Sequence, residues 1–547
     1  MIDPTRSTDR RDFLKLGGGA VVGGALLSGA AGTGVASAAL KRGAAASTTL
    51  TIGVSTDPQT LDPEKGQATR ANETLKNTYA QWVRYAIKDT GKGYLRADLT
   101  KPVAGEAFES LQVLDGGKRI RAKLREVTLP SGQPLTADDF IWRVQRSIEL
   151  KLGALFIWNT MGITKLSQLK KISKQEVEIT LPRPSAILGP LLRDQDAGLL
   201  DTSIVKKNST SKDPWGSDWV SRNAAPTGAY LIDSYNPGSR LVLKANPRYW
   251  GPKPYYQTVV LQVIPSPDDR VLLLRQGDID IAADLSAEAS TRLKGVSGVR
   301  VISADTIAQD FFAFVQDKPP FNNVKLRQAV AYAIPYEQLV KTVLRGEAKM
   351  AKGVWPRNSV WFQDNPWPYR TNPAQAKKLL GEGGQPNGFS FDCEISQADA
   401  DAQALAIPVQ TALREVGITM NIKTLAASKF QENLGKRSMQ AWIGSNFGSF
   451  VDDPYYHCFL WFDTKAVINW FKYSSPVVDK AVQGLASTTD TNTRRRLAGQ
   501  IQRQLNQDVP LISLGEPNFL LPMRDDLTGF LYEPDGLMTY RHFRPKS

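Results

Sequence analysis

Histidine and cysteine are scarce in this chain, with two of each among 547 residues: His457 and His542, Cys393 and Cys458. Two histidines leave little material for a histidine-based metal centre or a Ser-His-Asp triad. No G-x-S-x-G elbow is present to expose a nucleophile. A secreted hydrolase is therefore not the expected class, and no cofactor is expected. Two cysteines cannot build a disulfide-rich scaffold, and two readings stand: one bridge between Cys393 and Cys458, or two separate buried thiols. Beyond the N-terminus no apolar run reaches membrane-spanning length. A concentrated basic surface is lacking too. Lys and Arg outnumber Asp and Glu by 68 to 54, giving a formal charge of +14, but the two signs are interleaved. The densest cluster, Arg494 to Arg496, reads as a solvated helix face. Nucleic-acid binding needs a basic stripe or a recognisable module, so nucleic acid is not an expected partner.

The N-terminus carries an address. Asp9-Arg10-Arg11-Asp12-Phe13-Leu14-Lys15 precedes a Gly- and Ala-rich apolar segment from Leu16 to Ala31, and Ala36-Ser37-Ala38 follows. A charged region, an apolar region and an A-x-A site in that order form an export signal. The double arginine resembles a twin-arginine signal, departing from its pattern in having Asp9 at the first position, with Thr8 before it. The expectation is a periplasmic protein starting near Ala39. Residues 1–38 would be the signal peptide and 39–47 a flexible lead-in.

The remaining length exceeds what one core supports, so at least two packed units are expected. Leu50, Ile52 and Val54 alternate as a strand. Leu75, Tyr79, Trp82, Val83 and Ala86 then recur at helical spacing, so the fold opens as α/β. Thr136-Ala137-Asp138-Asp139 has capping-box form ahead of the apolar face Phe140, Val144 and Ile148. Leu241–Leu243 and Val259–Leu261 read as strands of a hairpin-like unit around Asn246-Pro247 and Trp250-Gly251. Helices are predicted over 268–276, 323–334 and 373–380, and a strand over 278–281.

Several of these segments together form a longer pattern. Pro226-Thr227-Gly228-Ala229-Tyr230, Leu241 through Trp250 and Arg275-Gln276-Gly277-Asp278-Ile279-Asp280-Ile281 occur in series. Lys318-Pro319-Pro320-Phe321 through Ile334 follows them. Leu61-Asp62-Pro63, Gly132 through Phe140 and Pro373 through Leu380 add weaker matches. In this order the chain resembles the family 5 extracellular solute-binding proteins, the peptide- and nickel-type receptors of ABC importers. These motifs are structural: Gly228 permits a tight turn, Asn246-Pro247 stops a strand, and Trp250 is read as a core anchor.

The resemblance implies a two-lobed periplasmic binding protein fold, type II and cluster C-like, with an extra domain in the N-terminal lobe. Domain I would comprise 48–90, 200–305 and 509–547, domain II 91–199, and domain III 306–508. Crossings near Thr306 and Asp508 would form a hinge on which the lobes close over the ligand. The implied partners are a small-molecule or peptide ligand and an inner-membrane ABC permease, with the receptor a monomer. A non-peptide solute (opine, sugar or metal chelate) or a chemosensory role on the same fold are the alternatives.

In peptide-binding members a Trp on the domain III wall is closely followed by an acidic residue that meets the peptide α-amine. The matching stretch here is Trp442-Ile443-Gly444-Ser445-Asn446, with Ser445 at the acidic position. A hydroxyl cannot neutralise an ammonium, so weakened α-amine selection is expected unless Asp452 or Asp453 takes over. The other reading of Asp453-Pro454 is a turn opening. Family position adds Ser55 and Asp57, Trp158 and Asn159, Thr306, Trp355 and Arg357 as cleft candidates, each with a packing or surface role as the alternative. Arg357 would suit a carboxylate or phosphate.

Overall fold

The computed structural model describes residues 48–546 apart from 67, 365, 366 and 467; the double-arginine leader and its cleavage motif lie outside the described residues. Strand β1 (Thr49–Val54) buries Leu50, Ile52 and Val54, as the alternation predicts. Helix α1 (Thr69–Thr78) is shorter than the apolar spacing suggests. It stops where the Thr227 and Gly228 N–H groups donate to the Thr78 carbonyl, at 3.0 and 2.7 Å, taking the acceptor that a further turn would use. Gly228 serves close approach rather than a tight turn: a Cβ there would lie 2.7 Å from the Thr78 carbonyl carbon.

Strands β2 (Phe108–Leu114), β3 (Arg119–Leu124), β4 (Leu169–Ser173) and β5 (Glu176–Thr180) form a separate antiparallel sheet in the order β2-β3-β5-β4. Helices α2 (Ala137–Leu150) and α3 (Gly153–Met161) share its core. The predicted capping box opens α2, with Asp139 Oδ2 accepting from the Thr136 N–H at 2.8 Å and from its hydroxyl at 2.9 Å. The buried face of α2 also carries charge. Arg146 donates to both Asp62 oxygens at 2.9 and 2.7 Å, and Arg143 meets Glu64 at 2.6 Å. Leu61-Asp62-Pro63 is therefore a buried tie to α2.

The larger sheet contains β1 with β6 (Tyr230–Asn236), β7 (Arg240–Ala245), β8 (Thr258–Val263), β9 (Ile281–Ala282), β10 (Val299–Asp305) and β11 (Ala308–Phe314). Strands β12 (Ser390–Ser396), β13 (Thr419–Leu425), β14 (Ala441–Gly448) and β15 (Leu511–Arg524) continue it. Its order is β6-β7-β8-β1-β9-β15-β11-β14-β12-β13, with β10 also on β15. The predicted hairpin is β7 against β8, Leu241 facing Leu261. In its loop Trp250 is half-buried, and its Nε1 donates to the Glu106 carbonyl at 3.1 Å. Strand β15 has two sets of neighbours: 518–524 pair with β10 and 511–515 with β11.

Helices α4 (Val324–Ala333) and α5 (Pro373–Glu382) fall where the pattern puts them. They are followed by α6 (Ala400–Glu415), α7 (Pro454–Trp461) and α8 (Thr491–Asp508). The basic cluster on α8 is not wholly solvated. Arg495 and Arg496 are exposed, but Arg494 is buried against Asp453 with N–O 2.5 Å. Cys393 on β12 and Cys458 on α7 are separate buried thiols, and burial pushes both up. Among the described residues no helix is long and apolar enough to cross a membrane.

Candidate functional site

A cavity of about 720 Å³ opens between Phe156 of α3 and the segment Asp284-Leu285-Ser286 on one side and β14 with the start of α6 on the other. Trp442 forms part of its wall, held by stacking on Phe471 at 5.5 Å and by an edge contact with Phe311 at 6.3 Å. Gly444 is required beside them, since a Cβ there would lie 2.9 Å from the Phe311 ring.

Next along β14, Ser445 is bound by a carboxylate missing from the sequence-based candidates. Its N–H donates to Asp399 Oδ2 at 3.0 Å and its hydroxyl to Oδ1 at 2.9 Å. Asp399 is also the N-cap of α6, accepting from the Ala402 N–H at 2.9 Å. The described residues lining this cavity include Asp284, Asp399 and Asp401 and no Lys, Arg or His, although the chain as a whole is basic. Burial pushes Asp284 up, but Arg70 at 2.9 Å and two donors from Ser55 outweigh it and hold the carboxyl below its ordinary range. Burial raises Asp401, and Asp399 adds to the rise against one N–H from Ala287.

The family model described as "Bacterial extracellular solute-binding proteins, family 5 Middle" matches residues 102–467, more than half of the chain. The chain belongs to this family. A curated relative, the probable D,D-dipeptide-binding periplasmic protein DdpA of Escherichia coli K12, is 26% identical over 490 residues, covering 89% of this chain and 92% of the relative. Among solved structures, the periplasmic binding protein DppA from Helicobacter pylori in complex with the peptide STSA matches with TM-score 0.78 at 18% identity. That match covers 91% of this chain and 98% of DppA. MoaA from A. tumefaciens R10 in complex with mannopinic acid matches with TM-score 0.75 at 22% identity, covering 92% and 100%. The fold is that of the two-lobed periplasmic binding proteins.

Within this solute-binding protein the sequence-selected residues separate into two groups. Trp442, Gly444, Ser445 and Asn446 come together on the cavity wall. Ser55 stands behind the cavity, on Asp284. The others are used elsewhere. Asp452 accepts from the Ser359 hydroxyl at 2.5 Å and the Val360 N–H at 2.8 Å, and burial pushes its carboxyl up to about 6. Asp453 caps α7 through the Tyr455 N–H at 2.8 Å and pairs with Arg494. Its turn-opening reading describes its geometry. Arg357 donates its N–H to Glu516 at 3.1 Å and its guanidinium to the Met350 carbonyl. Trp355 packs on His457, and Trp158 is a core residue that donates to Ser147 at 3.0 Å. Asn159 is exposed on α3. Asp57 accepts from the Tyr235 hydroxyl at 2.6 Å. The Thr306 hydroxyl donates to the Pro517 carbonyl at 2.6 Å, tying the β10–β11 connection to β15. Among the described residues no group of three or more His, Cys, Asp or Glu is placed to hold a metal ion.

Asp399 and Asp401 carry one sequence signal: an Asp ahead of the helical face Ala402, Leu405, Ala406, Val409 and Leu413 reads as an N-cap. Nothing in that signal says that the cap faces a cavity.

Proposed function

We propose that this protein is the substrate-binding receptor of an ABC importer, taking a peptide or peptide-like solute in its cleft and delivering it to a membrane permease. The observation that carries the reading is the cavity itself, large enough for a short peptide and lined by aromatic walls with a carboxylate at Ser445. DdpA, named for D,D-dipeptide binding, and DppA, bound to STSA, support the ligand class. Asp399 supplies the charge that Ser445 lacks and meets the solute's α-ammonium; α-amine selection is kept through a different residue. An acidic solute such as an opine is the weaker reading, because a cavity with three carboxylates and no basic residue among its described lining repels a further anion.

The division into domains I, II and III is supported by the separate four-stranded sheet within 91–199, but in this reading the boundary expected at 508/509 moves into β15, because 511–515 pair with β11 of domain III and 518–524 with β10 of domain I. The second crossing, expected near Asp508, moves to 515–518 in this reading, beside the first at 305–308, where the Thr306 hydroxyl donates to the Pro517 carbonyl. Export by the double arginine and a periplasmic location as a monomer complete the proposal. Replacing Arg10 and Arg11 by Lys tests the route, since that receptor reads the guanidinium pair and unchanged export would overturn it. The ligand is tested by mass spectrometry of whatever purified protein releases, followed by calorimetry. A released solute without an amine would overturn the peptide reading.

A further inference from the structure

Beside the main cavity is a smaller chamber of about 170 Å³ that shares Asp284, Leu285, Asp401 and Asn446 with it. It exceeds by far the ~15 Å³ that a single water needs, so it is not a one-water void. Its described walls carry five carboxylates, Glu73, Asp284, Asp310, Glu347 and Asp401, and one guanidinium, that of Arg70. Arg70 is already engaged by Glu73 and Asp284, and Glu347 by Lys294.

Asp310 is different. It is 1% exposed on β11, between buried Gln309 and the apolar run Phe311-Phe312-Ala313-Phe314. Its Oδ1 accepts the Asn446 N–H at 3.0 Å, which the left-handed backbone of Asn446, φ 54°, accompanies. Its Oδ2 is buried and has no hydrogen-bond partner among the described residues. Both ladders of β11 slip at this residue, against β14 between Gln309 and Phe311 and against β15 between Asp310 and Phe311. A bulge is a device for re-aiming a side chain, and its irregularity is retained beside functional sites. Burial, helped by Asp401 and Asp399 and opposed by the Asn446 N–H, pushes the Asp310 carboxyl well above the usual range; no Lys or Arg is among the groups acting on it. A buried carboxylate oxygen without a donor is costly, and an entering cation would supply both the donor and the charge.

We propose that this chamber is a specificity subsite for a cationic arm of the solute, an ammonium or guanidinium, held by Asp310 Oδ2 and Asp401. The inference rests on the peptide reading and narrows it: the preferred peptides carry a Lys- or Arg-like side chain in addition to their α-amine, which Asp399 meets in the larger cavity. The side chain, not the α-amine, is the source of the charge that enters.

Calorimetry with a set of tripeptides containing Lys, Arg or norleucine at each position, each also N-acetylated, tests this, with cadaverine as a non-peptide cation. The expected result is that, at one position, Lys or Arg binds at least tenfold tighter than norleucine, with or without the acetyl group. Asp310→Asn should reduce that ratio to within twofold. Asn keeps the acceptor for the Asn446 N–H, and a melting curve establishes that the variant is folded; Asp401→Asn provides a second variant if it is not. If norleucine peptides bind as well as Lys peptides, the subsite is overturned and the peptide reading stands. If peptides fail but cadaverine binds and loses affinity in Asp310→Asn, the subsite stands and the peptide reading falls. If nothing in the set binds, both fall. A preference that disappears on acetylation would assign the charge to the α-amine and overturn the side-chain subsite.

Discussion

Ser445 gives both of its polar hydrogens to Asp399, the N–H to one carboxylate oxygen and the hydroxyl to the other. A residue on β14 that cannot carry charge is thereby clamped to one at the head of α6 that can. Asp399→Asn removes the charge and places an amide donor against donors. Free-amine tripeptides should lose about tenfold in affinity, roughly 1.4 kcal/mol, while N-acetylated ones change little. Calorimetry on the wild type, Asp399→Asn, Asp452→Asn and Asp453→Asn checks this. If the acetylation penalty disappears in Asp452→Asn instead, the assignment to Asp399 is wrong.

Trp442, Trp461 and Trp470 all line the cavity. A bound solute should therefore change the intrinsic fluorescence, and Trp470→Phe should shrink that change. At a ligand concentration of 100 Kd the folded state gains about 2.7 kcal/mol, seen as a raised Tm. A solute that binds by calorimetry yet moves neither signal would argue against this cavity as its site.

His457 lies in an aromatic cage of Trp355, Phe447 and Phe462, with ring centroids 5.5 to 5.7 Å away, and its Nε2 has no hydrogen-bond partner among the described residues. Burial alone lowers its pKa from 6.5 to about 4. The folded state holds it neutral, so its contribution is complete above pH 6.5 and is lost as the pH falls towards 4. The loss over that window is of the order of 3 kcal/mol. His457→Phe should flatten this part of the Tm-against-pH curve. Equal acid sensitivity in the variant would exclude His457 as its source.

The Arg146–Asp62 pair is fully buried, and its two bonds are matched by the Ser217 hydroxyl on Asp62 at 3.0 Å. Removing one partner leaves an uncompensated buried charge, so Arg146→Met should destabilise by about 3 to 5 kcal/mol. The double variant Arg146→Met, Asp62→Leu should recover much of that loss. Urea unfolding of the single and double variants measures the coupling, and additive losses would mean that the two residues do not act as a pair.

Local rules made part of this molecule legible. The capping box at Thr136 and Asp139, the strand alternation at Leu50 to Val54 and the stop at Asn246-Pro247 depend on neighbours within a few residues, and each is present. Trp442 to Asn446 could be found because the whole run lies on one strand. Asp399, Asp401 and Asp310 could not be assigned to the cleft, because Asp399 meets Ser445, Asp310 meets Asn446 and Asp401 meets Ala287 only through the pairing of β11 with β14 and the docking of α6, contacts far apart in sequence. Trp158 and Trp355 show the opposite error of position: large aromatics near a cleft were buried in the core that supports it. Asp310 did carry a signal, a charge directly ahead of the apolar run Phe311-Phe312-Ala313-Phe314.

The strand shared by both sets of neighbours, β15, begins at Leu511 and leaves the ribosome after β9, β10 and β11, the strands it pairs with. Until it emerges, β9 and β11 each expose an unpaired edge and β10 has no partner strand, so neither half of the larger sheet can be completed early in synthesis. The assembly of the larger sheet therefore waits on residues 511–524. A premature stop before residue 511 would yield two open sheets prone to aggregation instead of one finished lobe and one missing, and long-range closure of this kind is intrinsically slow.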